Sequence, residues 1–192
     1  MSLRIVEEPP TRLAEYAQVP IGFMVAEILV ERACAALNHD APLEAVAVSP
    51  AYWKDYDSYS GSHPSAWPQL FDLSRWIILA AYDRECRVGG ATLIVDDPQI
   101  ELLRDCSACA LLWDIRVAPY ARRQGIGTAL LEAVERHAAE RGAHSLRVET
   151  QDVNVPACRF YHAHGFRLER AIPGAYAALH NEVQLLWRKP LR

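Results

Sequence analysis

The segment that most constrains this chain is a predicted strand, a glycine-containing turn and a predicted helix between residues 111 and 149. Residues 111–117 are mostly apolar and include β-branched side chains, which favours a strand. From Ile126 onward, apolar side chains recur at helical spacing, and Gly142 is typical of a helix C-terminus. The chain is therefore expected to pass from a strand directly into the N-terminus of a helix.

The turn at residues 122–128 has the features of an anion site. Gly125 and Gly127 allow the backbone to come close to a ligand. The first N–H groups of the following helix point outward with the positive end of the helix dipole, and Arg122 and Arg123 stand beside them. The turn therefore predicts a site for a phosphate or pyrophosphate group.

Further strands are predicted on both sides of this segment. Apolar and polar side chains alternate over residues 145–150, which completes a strand–helix–strand unit and predicts that its two strands are parallel. Earlier in the chain, residues 76–82 and 88–95 predict an antiparallel pair joined by a short polar link. The pair Gly89-Gly90 predicts either a bulge or the close approach of another backbone.

The ends of the chain give weaker patterns. Residues 21–37 carry apolar side chains at helical spacing and predict an amphipathic helix. Residues 38–61 contain two prolines and a mixture of tyrosines and aspartates, and we predict a loop there. Its aromatic side chains either pack from surface to core or form a wall for a cationic ligand. Residues 166–172 and 182–187 predict two final strands, separated by Pro173-Gly174.

Composition limits the function classes. The 192 residues, 51% of them hydrophobic, predict a single domain with a sizeable core. A formal net charge of −4 argues against a general nucleic-acid surface and favours a cationic small substrate. The N-terminus has no signal pattern and no apolar run is long enough for a membrane span, so we expect a cytoplasmic protein. Five cysteines predict reduced thiols, and Cys106 and Cys109 lack a second pair that would complete a metal site, so no metal is expected.

Three motifs carry a resemblance to a known family. They are Arg122-x-x-Gly125-x-Gly127 at the strand-to-helix turn, Asn154 at the start of a later helix, and Phe160-Tyr161 shortly before Gly165-Phe166. Together they resemble the GNAT superfamily of N-acetyltransferases over roughly residues 75–188. The run of residues 149–161 is similar, more narrowly, to the streptothricin acetyltransferases.

This resemblance implies a mixed α/β fold in one domain, with a splayed central sheet flanked by helices. Its fourth and fifth strands, here residues 111–117 and 145–150, would part to admit acetyl-coenzyme A as cosubstrate. Backbone groups of the first strand would hold the pantetheine arm, and the turn would receive the pyrophosphate. Cys158 either lines the thioester channel or is an ordinary buried residue. The implied donor-binding residues are Ile115, Arg116, Val117, Arg122, Arg123, Gln124, Gly125, Ile126, Gly127, Thr128, Asn154, Cys158 and Tyr161.

Acetyl transfer to an amine needs an acceptor for the amine proton, a donor to the oxyanion and a proton for the departing thiolate. Tyr161 matches the superfamily's usual thiolate protonator, although a tyrosine beside Phe160 also suits the core. The backbone N–H of Val117 matches the usual oxyanion donor. Asp114 and Glu149 are the candidate bases, and each could instead hold a substrate ammonium or serve the structure.

The resemblance also implies an acceptor: a small cationic amine, with a streptothricin-type antibiotic ahead of a peptide N-terminus. The acidic residues expected to complement its charge are Asp55, Asp57, Asp114, Glu149 and Glu182. A protein N-terminal acetyltransferase and a non-catalytic acyl-coenzyme A sensor are the alternatives. A dinucleotide-binding module fits less well, because Leu130 occupies the third glycine position of that fingerprint. A homodimer is expected from the family, whereas nucleic-acid and membrane partners are not.

Overall fold

The computed structural model describes residues 2–30, 43–176, 179 and 181–191. These residues form two compact units, one made of residues 2–22, 55–146 and 191 and the other of residues 23–30, 43–54, 147–176, 179 and 181–190. In chain order the strands and helices are β1 (Leu3–Glu8), α1 (Leu13–Tyr16), β2 (Phe23–Leu29), β3 (Ala45–Lys54), α2 (Trp67–Leu70), β4 (Trp76–Asp83), β5 (Cys86–Val95), β6 (Cys109–Val117), α3 (Ile126–Glu140), β7 (Ser145–Gln151), α4 (Val155–Ala163), β8 (Arg167–Pro173) and β9 (Val183–Pro190).

The first unit is built on four strands in the order β1-β4-β5-β6, and each neighbouring pair is antiparallel. The predicted pairing of the strands at residues 76–82 and 88–95 is confirmed, with Ile78 opposite Thr92. Most residues of β4 and β5 are buried, because α3 packs on these strands and an aromatic cluster around Trp67 and Trp76 supplies much of the remaining core. The glycine turn therefore follows a strand, β6, that is paired within this sheet.

The two adjacent glycines of β5 lie where other groups approach closely. A Cβ atom on Gly90 would lie 2.5 Å from Cε2 of Tyr16, and one on Gly89 would lie 2.7 Å from the carbonyl oxygen of Arg116. The β4–β5 register also shifts beside them, between Ala81 and Tyr82. Both the predicted close approach and a bulge are therefore present. Together they allow the Tyr16 ring to lie directly against the sheet.

The second unit corrects the prediction of a helix over residues 21–37. Phe23–Leu29 is a strand, β2, which pairs antiparallel with β3, and Ile28 lies opposite Val46. Residues 31–37 fall outside the described part of the chain. A short apolar run fits both helical and strand periods, so pairing with a partner decides between them. Here the partner begins well over ten residues further along the chain.

The prediction of a loop over residues 38–61 is also wrong for its central part, because Ala45–Lys54 forms strand β3. Pro50 argued against a strand in the sequence, because proline has no backbone N–H to donate to a neighbouring strand. The pairing with β2 breaks at this place: Tyr52 and Ala47 are paired on either side, and the register shifts between Val25 and Glu27 of β2. Residues 38–42 lie outside the described residues, and residues 55–61 are turns and a short 3-10 helix as the loop prediction requires.

The rest of the second unit follows the predictions closely. Strands β8 and β9 pair antiparallel around the break at Pro173-Gly174, and the order of the strands here is β7-β9-β8. The indole N–H of Trp187 on β9 donates to Oγ1 of Thr150 on β7 over 3.0 Å, deep in the core. This bond links β9 to β7, the strand that carries Glu149. Within the described residues, no helix is both long and apolar enough to cross a membrane.

Candidate active site

The glycine turn has the backbone shape that an anion site requires. Gly125 adopts φ 82°, in the left-handed region, and α3 begins at the next residue. Because Gly125 has no side chain, it supplies no capping acceptor to the first N–H groups of α3. A Cβ atom built on Gly125 would meet no atom within 4 Å. The turn is therefore open on this side, and the positive end of the α3 dipole is available to an anion.

The two arginines of the turn have different surroundings. Arg122 is half-buried, and its guanidinium donates to the carbonyl oxygens of Val117 over 2.9 Å and Gly22 over 3.0 Å. Burial lowers the pKa of Arg122. Arg123 and Gln124 are exposed, and Gln124 donates to the carbonyl oxygen of Tyr120 over 3.2 Å. Arg122 therefore ties the turn to the end of β6, and Arg123 presents its charge to solvent.

Asp114, one of the two candidate bases, belongs to a buried charge network. Its carboxylate accepts from Nη2 of Arg116 over 2.7 Å and from the hydroxyl of Tyr16 over 2.5 Å. Arg116 also donates to Asp57 over 2.9 Å and to the carbonyl oxygen of Val19 over 3.1 Å. Burial, followed by the charge of Asp114, raises the pKa of Tyr16 well above its usual value. Asp114 is thus held between a guanidinium and a phenol.

Strand β6, which carries Asp114 and Arg116, also pairs with β5. Ile115 and Arg116 pair with Ala91 and Gly90 of β5, so one edge of β6 is occupied by the sheet. Arg116 is only 2% exposed. Burial disfavours its charged form, but Asp114 and the hydrogen bonds outweigh this effect, and the pKa of Arg116 is raised. The guanidinium therefore remains charged inside the first unit.

Glu149, the other candidate base, has different neighbours. It is half-buried on β7, and the hydroxyl of Tyr176 donates to its Oε1 atom. Nε2 of Gln151 lies 3.1 Å from the Tyr176 hydroxyl and 3.4 Å from Glu149 Oε1. Burial raises the pKa of Glu149, whereas hydrogen bonds from Tyr176 and Gln184 act to lower it, and the net direction is upward. All the partners identified for this carboxylate are uncharged.

The helix after β7 positions the remaining predicted residues. Asn154 caps α4, since its Oδ1 atom accepts from the backbone N–H of Ala157 over 3.3 Å, as its sequence context predicts. Cys158 is fully buried, with its sulfur 3.4 Å from Oγ1 of Thr150, which supports its interpretation as an ordinary buried residue. Tyr161 is 4% exposed, and its ring packs edge-on against those of Phe160 and Phe166.

The acidic residues expected to attract a cationic acceptor are not equivalent. Asp57 and Asp114 share Arg116. Glu182 is paired with Lys54, whose Nζ atom lies 2.6 Å from Glu182 Oε1 and is buried. Sequence reasoning overlooked Tyr16, Lys54 and Tyr176. The ion pair between Arg116 and Asp114 could have been predicted from the sequence. Asp114 is two positions before Arg116, and residues i and i+2 of a strand face the same side. The other partners are distant in sequence.

Metal ligands are not gathered in the described part of the chain, where no group of three or more histidine, cysteine, aspartate or glutamate side chains could hold a metal ion. The first unit has an open helix N-terminus at α3, and each unit has a phenol that donates to a carboxylate. Such groups can bind a phosphorylated cosubstrate and move protons.

Comparison with known proteins decides the family. The model of the Acetyltransferase (GNAT) family matches residues 54–166, which is more than half of the chain. This chain belongs to the GNAT acetyltransferase family. The resemblance inferred from the glycine turn, Asn154 and Tyr161 is thereby confirmed.

Two curated proteins are similar to this chain over about half of their length. Streptothricin acetyltransferase A of Bacillus subtilis (strain 168) is 35% identical over 91 residues, a match that covers 46% of this chain and 53% of that protein. YxbD of the same organism, an uncharacterised protein, is 32% identical over 92 residues, covering 46% of this chain and 56% of that protein. The match therefore spans about half the length of each of these curated relatives.

Solved structures of GNAT proteins share the fold over the whole chain. A nourseothricin acetyltransferase has a TM-score of 0.74 at 22% identity, with both chains fully covered. A protein from Bacillus anthracis (strain Ames), described as a streptothricin acetyltransferase in complex with acetyl-coenzyme A, has a TM-score of 0.76 at 23% identity over 98% of this chain and 99% of that one. These similarities confirm the mixed α/β GNAT fold. The dinucleotide-binding alternative is set aside, because it requires a Rossmann fold.

Proposed function

We propose that this protein is an acetyl-coenzyme A-dependent N-acetyltransferase, and that its acceptor is the primary amine of a small cationic molecule of the streptothricin type. The observation that carries the proposal is Glu149, a half-buried carboxylate on β7 with uncharged partners, within the segment matched by the GNAT family. The similarity to a streptothricin acetyltransferase supports the choice of acceptor. The protein is further proposed to act as one GNAT domain, without a metal.

The donor is proposed to bind to the first unit. The N–H groups at the start of α3 would receive the pyrophosphate, assisted by the exposed Arg123. Arg122 would act indirectly, since its guanidinium is engaged with the Val117 and Gly22 carbonyl oxygens and keeps the turn in shape. Backbone groups at the end of β6 would hold the pantetheine arm. Acetyl-coenzyme A bound to a GNAT structure of the same fold supports this part of the proposal.

The acceptor amine is proposed to lose its proton to Glu149. Burial raises the pKa of this carboxyl, which makes its ionised form a stronger proton acceptor than an exposed glutamate. The neutral amine then attacks the thioester carbonyl carbon, and the backbone N–H of Val117 donates to the oxyanion. Collapse of the tetrahedral intermediate breaks the carbon–sulfur bond, and the leaving thiolate takes a proton from Tyr161. The cationic nitrogen gives its remaining extra proton to the Tyr161 phenolate, which restores the phenol, and Glu149 releases its proton to solvent. The products are an amide and the free thiol of coenzyme A.

Asp114 is proposed to have a supporting role in place of the catalytic one. Both oxygens of the Asp114 carboxylate accept hydrogen bonds from the buried Arg116 guanidinium, and Oδ1 also accepts from the Tyr16 phenol, so the carboxylate is already occupied by groups of the protein itself. Asp57 and Glu182 are not proposed to attract the cationic acceptor, because Arg116 and Lys54 already compensate their charges. Glu149 has no such cation among its identified partners.

A thiol-release assay tests the proposal. The protein, acetyl-coenzyme A and one amine at a time are mixed, with streptothricin, aminoglycosides, polyamines and N-terminal peptides as the panel. We expect streptothricin to give the fastest release. Release with peptides alone would favour the N-terminal acetyltransferase alternative. Binding of acetyl-coenzyme A without release by any amine would favour the sensor alternative.

Substitution of Tyr161 by phenylalanine should lower kcat by about 10²-fold or more, the usual effect of removing a general acid. The ring contacts with Phe160 and Phe166 are retained in this variant, so the packing around the ring is preserved. The measurement is thiol release as a function of pH. Turnover equal to that of the wild-type protein at every pH would show that Tyr161 is a core residue and that another group protonates the thiolate.

A further inference from the structure

We propose that Tyr176 is a positioning residue that orients the carboxylate of Glu149 for proton transfer from the acceptor amine. The inference rests on the proposed function and extends it to a residue outside the segment matched by the family. Tyr176 lies between β8 and β9, two residues after Gly174, which adopts φ 71°. Its phenol contacts β7, where it donates to Oε1 of Glu149.

The contact is part of a short chain of hydrogen bonds. Nε2 of Gln151 lies 3.1 Å from the Tyr176 hydroxyl, and Gln151 is on the same strand as Glu149 and two residues away, so both side chains face the same side of β7. The opposite orientation of the Gln151 amide would place its oxygen 3.4 Å from Glu149 Oε1, which is repulsive. Gln151 therefore donates to Tyr176, and Tyr176 donates to Glu149.

The arrangement restricts the carboxylate. Tyr176 and Gln151 both approach the same oxygen, Oε1, so rotation of the carboxylate about its last bond would break both contacts. A terminal carboxylate torsion is otherwise broad and weakly restrained. A fixed orientation is what proton transfer requires, because the accepting lone pair must lie within hydrogen-bonding distance of the amine.

The groups that face Glu149 determine how the pKa of its carboxyl changes when one of them is removed. They are Tyr176 from the segment after β8, Gln184 from β9 and Gln151 from its own strand, and none carries a charge near neutral pH. Burial raises the pKa of Glu149, and the hydrogen bond from Tyr176 opposes this rise. Loss of the phenol must therefore raise that pKa further. A base with a higher pKa is protonated over a wider acidic range.

The experiment compares Tyr176→Phe with the wild-type protein. We expect the acidic limb of the kcat/KM profile for the acceptor amine to move to higher pH by about one unit, the usual effect of one hydrogen bond to a charged group. The KM for acetyl-coenzyme A should stay the same. A ¹³C NMR titration of the Glu149 carboxyl should show the same upward shift without relying on turnover, and Glu149→Gln identifies both the limb and the resonance.

Tyr82→Phe is the matched control. Tyr82 lies in the first unit, and its hydroxyl donates to Oε1 of Glu8 over 2.7 Å, so this variant also removes one phenol from one carboxylate. It should leave the acidic limb in place. An unshifted limb and an unshifted Glu149 resonance in Tyr176→Phe would overturn the inference and leave the proposed function standing. A wild-type protein that acetylates no amine would overturn the proposed function and, with it, any catalytic role for Tyr176.

Discussion

Substitution of Glu149 by glutamine should lower kcat/KM for the acceptor amine by about 10² to 10⁴-fold, the range expected for loss of a general base. The amide has nearly the same size and can still accept from Tyr176, so the β7 contacts survive, but it cannot take a proton at neutral pH. Binding of acetyl-coenzyme A should be unaffected. Thiol release measures the first effect, and calorimetric titration with acetyl-coenzyme A measures the second.

Glu140→Gln provides the comparison, because Glu140 is an exposed residue at the end of α3 that undergoes the same chemical change. Its activity should match that of the wild-type protein. If Glu149→Gln raised the KM for the amine and left kcat unchanged, the carboxylate would be assigned to holding the substrate ammonium. Full activity with an intact acidic limb would show that Glu149 takes no part, and the proton acceptor would have to be sought elsewhere.

The second large effect concerns stability. Replacing Arg116 by methionine should destabilise the protein by about 3–5 kcal/mol, because the change leaves the carboxylates of Asp114 and Asp57 without their shared cation in a buried setting. The Tyr16 hydroxyl would then be the main remaining partner of Asp114. Chemical denaturation followed by tryptophan fluorescence reports the change, since Trp67 and Trp76 lie in the core of the same unit.

The triple variant Arg116→Met, Asp57→Asn, Asp114→Asn separates charge from packing. It removes the two carboxylate charges that Arg116→Met leaves unpaired, and it should recover a large part of the lost free energy of unfolding. Arg136→Met is the surface control, because Arg136 and Glu140 form an exposed pair 4.0 Å apart on α3, and its effect should stay within about 0.5 kcal/mol. A loss of stability in Arg116→Met no larger than that in Arg136→Met would show that the network contributes little.

Short sequence signals were sufficient to predict the strand, turn and helix at which acetyl-coenzyme A is proposed to bind. The strand, the glycine turn and the helix are consecutive, and each is specified by local rules of propensity, positive φ and helix capping. The structure has β6, Gly125 in the left-handed region and α3 in this order. The same holds for Asn154, which caps α4 as predicted. These features depend on neighbours in sequence, so a sequence can reveal them.

Local patterns were insufficient for β2 and β3. The apolar residues of β2 fit a helix as well as a strand, and Pro50 interrupts β3. Their strand conformation depends on pairing between segments separated by more than ten residues, such as Ile28 with Val46. Pairing satisfies backbone hydrogen bonds that neither segment can satisfy alone as an extended chain. This information is absent from either segment taken separately.

The family, the glycine turn that leads into α3 and the set of acidic candidates were determined by the sequence itself, because short motifs carry them. The partners of these acidic candidates were decided by the tertiary structure, and the proposed choice among the candidates rests on those partners. The state of a carboxylate depends on which groups lie within about 3 Å of it. Folding brings Tyr16 to Asp114 across 98 positions and Lys54 to Glu182 across 128, and it brings Tyr176 to Glu149 across 27. Only the last of these three carboxylates meets a neutral partner without a cation, and it is therefore the one proposed to take the proton.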